Sequence, residues 1–197
     1  MKENTENNSI RPAKPEDYNQ VAPLIIQAME DVACKLIQAE NPYDALPLFE
    51  KFFQQTSNQY SFDNTLVFVE NGIVAGSITG YDGALLEAYR KPFLDYIEKA
   101  YDVRHDSLED ETQAGEYYID TLSVSDKFQG KGIGSKLIKK LIVKAGENGY
   151  SKVGLLVDQT NPLAKKLYTR LGFKVEKTIT FANGIYEHMQ YEIKNTP

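Results

Sequence analysis

The chain has few of the residues that redox, metal and membrane functions require. Its 197 residues include one cysteine, two histidines and no tryptophan. Cys34 has no second cysteine with which to form an internal disulfide, and its helical surroundings favour a small buried side chain over a reactive thiol. His105 and His188 lack the spacing of metal ligands. The composition therefore predicts neither an internal disulfide nor a metal site.

Long apolar runs are also missing. No run approaches the roughly 18 residues that a membrane helix needs, and the first ten residues are polar, so neither a membrane span nor a signal peptide is expected. We expect a cytoplasmic protein. With 42% hydrophobic and 25% charged residues in the chain, residues 10–197 can bury one ordinary core. Residues 1–9 have the composition of a disordered leader.

Hydrophobic periodicity predicts helices and hairpins around this core. A first helix is predicted around Pro23, which is expected to kink it, and a second helix over residues 44–55. Asn-Gly pairs at positions 71–72 and 183–184 each lie between two strand-like runs. Because Asn-Gly supplies the two positive φ angles of a type I′ turn, two β-hairpins are predicted.

The most informative segment is a glycine-rich loop at residues 129–135, Gln-Gly-Lys-Gly-Ile-Gly-Ser. It lies between a strand-like run at 117–124 and an amphipathic helix that begins near Ile133. Small residues let the backbone approach a ligand closely, and unpaired N–H groups at a helix start point at a bound anion. The segment is therefore predicted to bind a phosphate or pyrophosphate.

Two common phosphate-binding loops do not fit this segment. A P-loop requires Gly-Lys-Ser/Thr, whereas Gly134 is followed by Ser135 and then Lys136. A dinucleotide-binding fingerprint would need its third glycine at Ser135, and no Rossmann-type acidic partner follows the loop. A nucleotide-binding module is therefore disfavoured.

The pattern Gln/Arg-x-x-Gly-x-Gly/Ala does fit, with Gln129, Gly132 and Gly134. Further along, a strand-like run ending at Val157 leads into residues 161–173, Asn-Pro-Leu-Ala-Lys-Lys-Leu-Tyr-Thr-Arg-Leu-Gly-Phe. These two segments, in this order, resemble the coenzyme A pyrophosphate loop and the Asn-x-x-Ala-x-x-x-Tyr-x-x-x-Gly-Phe segment of the GNAT superfamily of acyl-CoA-dependent N-acyltransferases. The resemblance implies one α/β (α+β) domain in which helices flank a mixed, mostly antiparallel sheet.

The resemblance also implies an acetyl-CoA site. In the superfamily the central strand splays from its neighbour, and the pantetheine arm fills the gap and pairs with backbone groups at the positions matching Leu122 and Val124. The Leu122 N–H would polarise the acyl carbonyl. The implied cofactor-binding residues are Leu122, Val124, Gln129, Gly130, Lys131, Gly132, Ile133, Gly134, Ser135 and Asn161.

A base must take a proton from the ammonium substrate before the amine can attack. Strand alternation places Glu116, Tyr118, Asp120 and Leu122 on one face, with Asp120 about 7 Å and Glu116 about 20 Å from Leu122. Asp120 is the candidate base, since a neutral tyrosine is a poor base near pH 7; the alternative is a carboxylate that only bonds backbone at a sheet opening. Glu116 and Tyr118 are candidate substrate contacts, with a strand-end charge as the alternative for Glu116.

Asn161 and Tyr168 share one face of the second segment's helix, because seven residues span almost two turns. The resemblance implies that Tyr168 protonates the departing thiolate and that Asn161 hydrogen-bonds the pantetheine arm. Asn followed by Pro is also an ordinary helix start, so capping alone would explain Asn161. A core tyrosine is the alternative for Tyr168, since leucines form an apolar stripe on this helix.

An unusually long segment precedes the central strand. About 34 residues separate the first hairpin from Glu116, where 2 to 6 are typical, so residues 82–115 are predicted to be an acidic insertion, partly helical and interrupted at Pro92. Residues 82–116 contain ten acidic and four basic residues, a difference equal to the net charge of −6 of the whole chain. A wall that concentrates cationic amines and a solvated helix surface both fit this charge.

Together, the residues and the resemblance predict an N-acetyltransferase that moves an acetyl group from acetyl-CoA directly to a primary amine of a small molecule or peptide. The alternative is a non-catalytic acyl-CoA-binding sensor on the same fold, and the presence of both Asp120 and Tyr168 favours the enzyme. We expect no nucleic-acid partner, no membrane partner and no metal, and a homodimer is left open.

Overall fold

The computed structural model describes residues 8–106 and 108–194 of the chain. Within them lie seven strands, β1 Asn8–Pro12, β2 Thr65–Glu70, β3 Ile73–Asp82, β4 Tyr117–Val124, β5 Lys152–Asp158, β6 Lys174–Phe181 and β7 Gly184–Glu192. They form one sheet in the order β1-β2-β3-β4-β5-β7-β6. Every neighbouring pair is antiparallel except β4 and β5, which run parallel. The predicted mixed, mostly antiparallel sheet is confirmed.

Six α-helices among the described residues cover both faces of this sheet: α1 Tyr18–Ala28, α2 Glu30–Ile37, α3 Leu46–Phe53, α4 Leu86–Tyr101, α5 Ile133–Glu147 and α6 Pro162–Leu171. Helices α1 to α4 share one core, which includes the fully buried Phe49 and Phe93. Helices α5 and α6 pack on the other face, where Leu137 and Leu141 are fully buried. The sheet therefore separates two cores, and the predicted arrangement of helices flanking a sheet is confirmed.

The first helix differs from its prediction in where it breaks. Pro23 lies inside α1, and the chain instead leaves the helical conformation at Met29, which has φ of −149° and ψ of 44°. Two helices therefore meet at Met29, and the kink at Pro23 stays a prediction. The second predicted helix, over residues 44–55, is shorter in the structure, because a 3-10 turn at Pro42–Ala45 precedes α3.

Both hairpins form, but the second turn lies one residue earlier than predicted. Asn71 and Gly72 have φ of 52° and 82°, as a type I′ turn requires. In the second hairpin the positive φ angles belong to Ala182 and Asn183, at 46° and 61°, and Gly184 already starts β7. Tertiary contacts hold this shifted turn, since the Ala182 N–H donates to the Glu109 carboxylate at 3.1 Å.

The insertion and the leader also depart in part from the predictions. Helix α4 continues through Pro92 without interruption, so the predicted break is wrong. Strand β1 begins at Asn8, which assigns the last two residues of the predicted leader to the sheet; residues 1–7 lie outside the described residues. In the part of the chain that the structure describes, no helix is long and apolar enough to cross a bilayer.

Candidate active site

The candidate site lies where two neighbouring strands separate. Strand β4 pairs with β5 at three successive positions, Tyr117 to Ile119 opposite Val153 to Leu155, whereas its pairing with β3 continues to Val124. Beyond Ile119, the edge of β4 that faces β5 therefore has no partner strand among the described residues. This gap is the opening that the sequence resemblance implies for a pantetheine arm.

The backbone polar groups of Leu122 and Val124 point into this gap. The Ser125 N–H donates to a β3 carbonyl at 3.0 Å, and successive residues of a strand direct their polar groups to opposite neighbours. Leu122 and Val124 are therefore turned away from β3. The Val124 carbonyl accepts hydrogen bonds from the side-chain amides of Gln27 at 3.3 Å and Gln129 at 3.1 Å. An extended ligand lying in the gap would meet these same groups.

A groove of about 500 Å³ opens at the gap. Strands β4 and β5 and helices α2 and α6 contribute to its wall, and it also reaches Glu111 of the acidic insertion. The predicted site residues that line it are Tyr118, Asp120, Leu122, Val124, Gln129, Asn161 and Tyr168. The two sequence motifs and the central strand therefore contribute to one concave site.

The glycine loop has the backbone that an anion site at a helix start requires. Gly130 and Gly132 have φ of 78° and 75°, a left-handed conformation that favours glycine, and α5 begins at Ile133 directly after them. The Gln129 amide ties the loop to the open end of β4 through Val124. The first N–H groups of α5 thus lie beside the groove, where they and the helix dipole favour a phosphate.

The remaining loop residues join this helix start to its neighbours. Lys131 forms an ion pair with Glu70 at 2.7 Å. A Cβ added to Gly134 would lie 3.7 Å from a side chain of α6, an ordinary packing distance, and Ser135 Oγ lies 3.5 Å from the Arg170 guanidinium of α6. The start of α5 therefore packs against α6, the helix of the second motif.

Asn161 and Tyr168 present the second motif to the groove. The Asn161 side chain accepts a hydrogen bond from the Ala164 N–H at 3.0 Å, so the helix cap that sequence reasoning offered as an alternative is formed. Tyr168 lies two turns further on and packs edge to face against Phe173, with ring centroids 5.9 Å apart. Burial raises the pKa of Tyr168 to about 12, so its hydroxyl stays protonated at physiological pH.

Asp120 lies in a hydrogen-bond network at the groove. Its Oδ2 atom accepts from the Tyr81 hydroxyl at 2.9 Å and from the Gln59 amide at 3.2 Å. The same amide nitrogen donates to Glu111 Oε1 at 2.7 Å. Burial, and then the nearby charge of Glu111, raise the pKa of Asp120 well above its usual range, although the hydrogen bonds oppose this shift. Asp120, which sequence reasoning named as the base, is thus one of two carboxylates that share the Gln59 amide.

Sequence reasoning missed Gln59, Tyr81 and Glu111, the partners of Asp120. Three separate segments deliver them, the loop before β2, strand β3 and the insertion after α4. No local spacing links these positions. The available signal was the charge of the insertion, which predicted an acidic wall without indicating which carboxylate reaches the site.

Glu116 occupies a separate, buried network. It is 1% exposed and accepts hydrogen bonds from Thr112 at 2.8 Å and Gln190 at 2.7 Å, with His188 Nε2 at 3.0 Å. Burial alone would raise the pKa of Glu116, but these hydrogen bonds outweigh it and hold the pKa below its usual value. Its carboxylate lies against Gly154 of β5 and does not line the groove. The placement gives no support to the prediction of Glu116 as a substrate contact.

The donor set of the site suits an anionic thioester substrate better than a metal ion. Among the described residues, no three His, Cys, Asp or Glu side chains are grouped so that they could hold a metal. The groove offers instead an open strand edge for an extended amide chain, with a carboxylate and a phenol beside that edge. A helix start that suits phosphate follows Gln129 of its wall. These are the parts of an acyl-transfer site.

The comparison with protein families defines the class of this protein. A family described as the acetyltransferase (GNAT) family matches residues 27–173, which include the central strand and both motifs. The chain belongs to this GNAT acetyltransferase family. None of the curated proteins compared with the chain matches it.

Solved structures agree with this assignment. A crystal structure described only as an acetyltransferase is 34% identical, with a TM-score of 0.79, and the match covers 94% of this chain and 100% of that one. An N-acetyltransferase from Staphylococcus aureus Mu50 is 28% identical, with a TM-score of 0.73, over 93% of this chain and 100% of the other. The yncA protein of Salmonella typhimurium, solved with its cofactor acetyl-CoA, is 18% identical with a TM-score of 0.57, over 96% and 95% of the two chains, and shows the shared fold.

Proposed function

We propose that the chain is an N-acetyltransferase that moves the acetyl group of acetyl-CoA directly to a primary amine of a small molecule or peptide. The observation that carries the proposal is the groove itself, which brings Asp120, the open edge of β4 and Tyr168 together beside the glycine loop. Family membership supports the acetyl donor. The cytoplasmic location and the homodimer stay predictions from the sequence.

The glycine loop and the open edge of β4 would hold the donor. The N–H groups at the start of α5 suit its pyrophosphate, and the polar backbone groups of Leu122 and Val124 suit the amides of its pantetheine arm. The thioester then lies near Leu122, whose N–H would donate to the acyl oxygen as negative charge develops on it. An oxyanion contact of this kind contributes about 3 kcal/mol to many acyl transfers.

Asp120 would act as the base. A protonated amine that enters the groove gives one proton to the Asp120 carboxylate, and the neutral amine then forms a C–N bond with the acyl carbon. As the C–S bond breaks, the nitrogen loses its second proton to the departing thiolate, so that the products are the amide and the free thiol of coenzyme A. The raised pKa of Asp120 lessens the mismatch between an ordinary carboxylate and an alkylammonium. It also requires a pH at which Asp120 is ionised, so activity rises with pH through that pKa.

Tyr168 would stabilise the leaving sulfur by a hydrogen bond. Its pKa of about 12 exceeds the value of about 8.5 for a thiol, so full proton transfer from this phenol to a thiolate would be unfavourable. A protonated hydroxyl can still donate a strong hydrogen bond to the departing thiolate. This role differs from the complete protonation that the sequence resemblance implies.

Release of free thiol from acetyl-CoA in the presence of a panel of primary amines tests the proposal. We expect release that depends on an amine, together with a product heavier than the amine by one acetyl group in mass spectrometry. Binding of acetyl-CoA without thiol release for any amine would favour the sensor. Binding of ATP but not of acetyl-CoA would overturn both.

A further inference from the structure

The acidic insertion is an ordered unit that presents one carboxylate to the groove. Arg90 of α4 is 7% exposed and donates to the carbonyls of Leu108 at 3.1 Å and Glu109 at 3.2 Å, and to Glu111 Oε1 at 3.2 Å. These bonds fold the segment after α4 back onto the helix. Glu111 is 8% exposed and therefore has a fixed position at the groove.

Four polar atoms at this part of the groove have no hydrogen-bond partner among residues 8–106 and 108–194. Asp120 and Glu111 use one oxygen each for the bonds already described, which leaves Asp120 Oδ1 and Glu111 Oε2. The hydroxyls of Tyr60 and Tyr118 are the other two. Their residues are 4% and 2% exposed, and all four residues line the groove.

The two carboxylates of Glu111 and Asp120 carry more negative charge than the Arg90 guanidinium beside them can balance. Two carboxylates share the Gln59 amide. Among the described residues, the Arg90 guanidinium forms ion pairs with Glu111 and with the exposed Asp110, but not with Asp120. Two close carboxylates disfavour each other's ionisation unless a positive group lies between them. An ammonium would supply that charge and three N–H donors for the free oxygens, and the faces of aromatic rings such as Tyr60 and Tyr118 attract cations.

We propose that Glu111 is the specificity-determining residue of the acceptor site, and that with Asp120, Tyr60 and Tyr118 it selects amines that enter as ammonium ions with no carboxylate beside the amine. The proposal rests on the proposed function for the identity of the reaction. Glu111 holds the ammonium through its free oxygen, and Arg90 opposes the rise in the pKa of Glu111 that burial causes. Asp120, which has no guanidinium partner among the described residues, takes the proton. An amino acid with a free carboxylate would place a negative group against this pair and is excluded.

Three acceptors with the same alkyl chain test this selection. In n-pentylamine the carbon that bears the amine has no further substituent. In norleucinamide the same carbon bears a neutral amide, and in norleucine it bears a carboxylate. We expect calorimetry in the presence of coenzyme A to show binding of n-pentylamine and norleucinamide and at least tenfold weaker binding of norleucine. Glu111→Gln should weaken the binding of n-pentylamine about tenfold or more, the factor expected for one charged hydrogen bond.

Glu98→Gln is the matched control, since Glu98 is an exposed acid of α4 in the same insertion and the substitution removes the same charge. Equal binding of the three acceptors, or equal losses in the two variants, would overturn the proposal, because the charge of the whole insertion would then explain the data. Absence of n-pentylamine binding to the unsubstituted protein would overturn it as well.

Thiol release separates this inference from the proposed function. If n-pentylamine binds through Glu111 but no amine releases thiol, the acceptor site stands and the acetyltransferase activity fails. If amines are acetylated equally well with and without the Glu111 carboxylate, the activity stands and the selection fails.

Where turnover occurs, Glu111→Gln should raise KM more than it lowers kcat. It should also move the acidic limb of the pH profile to lower pH, because Asp120 loses a neighbouring negative charge while Arg90, Tyr81 and Gln59 are retained.

Discussion

The two halves of the groove are built in different ways. The half that suits acetyl-CoA consists of the glycine loop, the open edge of β4 and the start of α6, which are short continuous segments whose backbone groups would bind the donor in the proposed function. The half that suits the acceptor consists of single side chains from distant segments, among them Gln59, Tyr81, Glu111 and Asp120. Backbone recognition suits a donor shared by a family, and side-chain recognition can change with each acceptor.

The largest effect is expected in the donor half. Gly132→Asp should abolish measurable acetyl-CoA binding in calorimetry, a loss of more than about 100-fold, because a negative side chain would repel the pyrophosphate. Gly149→Asp is the matched control, since Gly132 and Gly149 have φ of 75° and 85° and open space around an added Cβ. Equal losses in both variants would show that backbone strain, and not the anion site, causes the effect.

The next effect concerns the acceptor half. Asp120→Asn keeps the shape of the side chain and removes the base, so kcat should fall about 100-fold or more while the Kd for acetyl-CoA stays within about twofold of the original value. Because the pKa of Asp120 is raised, kcat/KM of the unsubstituted enzyme should rise with pH above the ordinary carboxylate range. A variant that keeps full turnover would exclude Asp120 as the base.

Tyr168→Phe should have a smaller effect on the chemical step. Loss of one hydrogen bond to a developing thiolate corresponds to about 1.5 to 3 kcal/mol, or roughly 10- to 100-fold in kcat. Tyr191→Phe is a suitable control, since the Tyr191 ring also packs on Phe173, at 5.5 Å, but does not line the groove. Similar rates in the two variants would indicate that Tyr168 only fills the core.

The smallest effect on activity is expected for the buried network outside both halves. Glu116→Gln places an amide among donors from Thr112, His188 and Gln190, and should lower the free energy of unfolding by about 1 to 3 kcal/mol at neutral pH. The folded-state pKa of Glu116 is lowered, so its contribution is complete above the unfolded carboxyl value of about 4.3 and is lost as pH falls through the folded value.

Denaturant unfolding of both proteins between pH 7 and pH 3 measures this contribution, and the difference between them should shrink at the acidic end. Acetyl transfer by the folded variant should change little. A large loss of kcat with unchanged stability would instead restore Glu116 as a substrate contact.

Parts of the fold could be predicted because their determinants are local. Asn71-Gly72 specifies its turn through the two positive φ angles that these residues tolerate, and Gly130 and Gly132 do the same for the loop before α5. The second hairpin shows the limit of this reasoning. Its turn lies at Ala182 and Asn183, where the Ala182 N–H donates to Glu109 of the insertion, a contact that no local pattern predicts.

The sequence by itself determined the family, the sheet architecture and the loop beside the donor groove, because these depend on periodicity and on residues close together in the chain. Only the tertiary structure decided which carboxylates share the acceptor site. Glu111 and Asp120 meet through Gln59, and Glu116, which alternation placed on the same strand face, is drawn into the interior by Thr112, His188 and Gln190. Burial makes a carboxylate depend on its partners, and those partners come from segments that no local pattern connects.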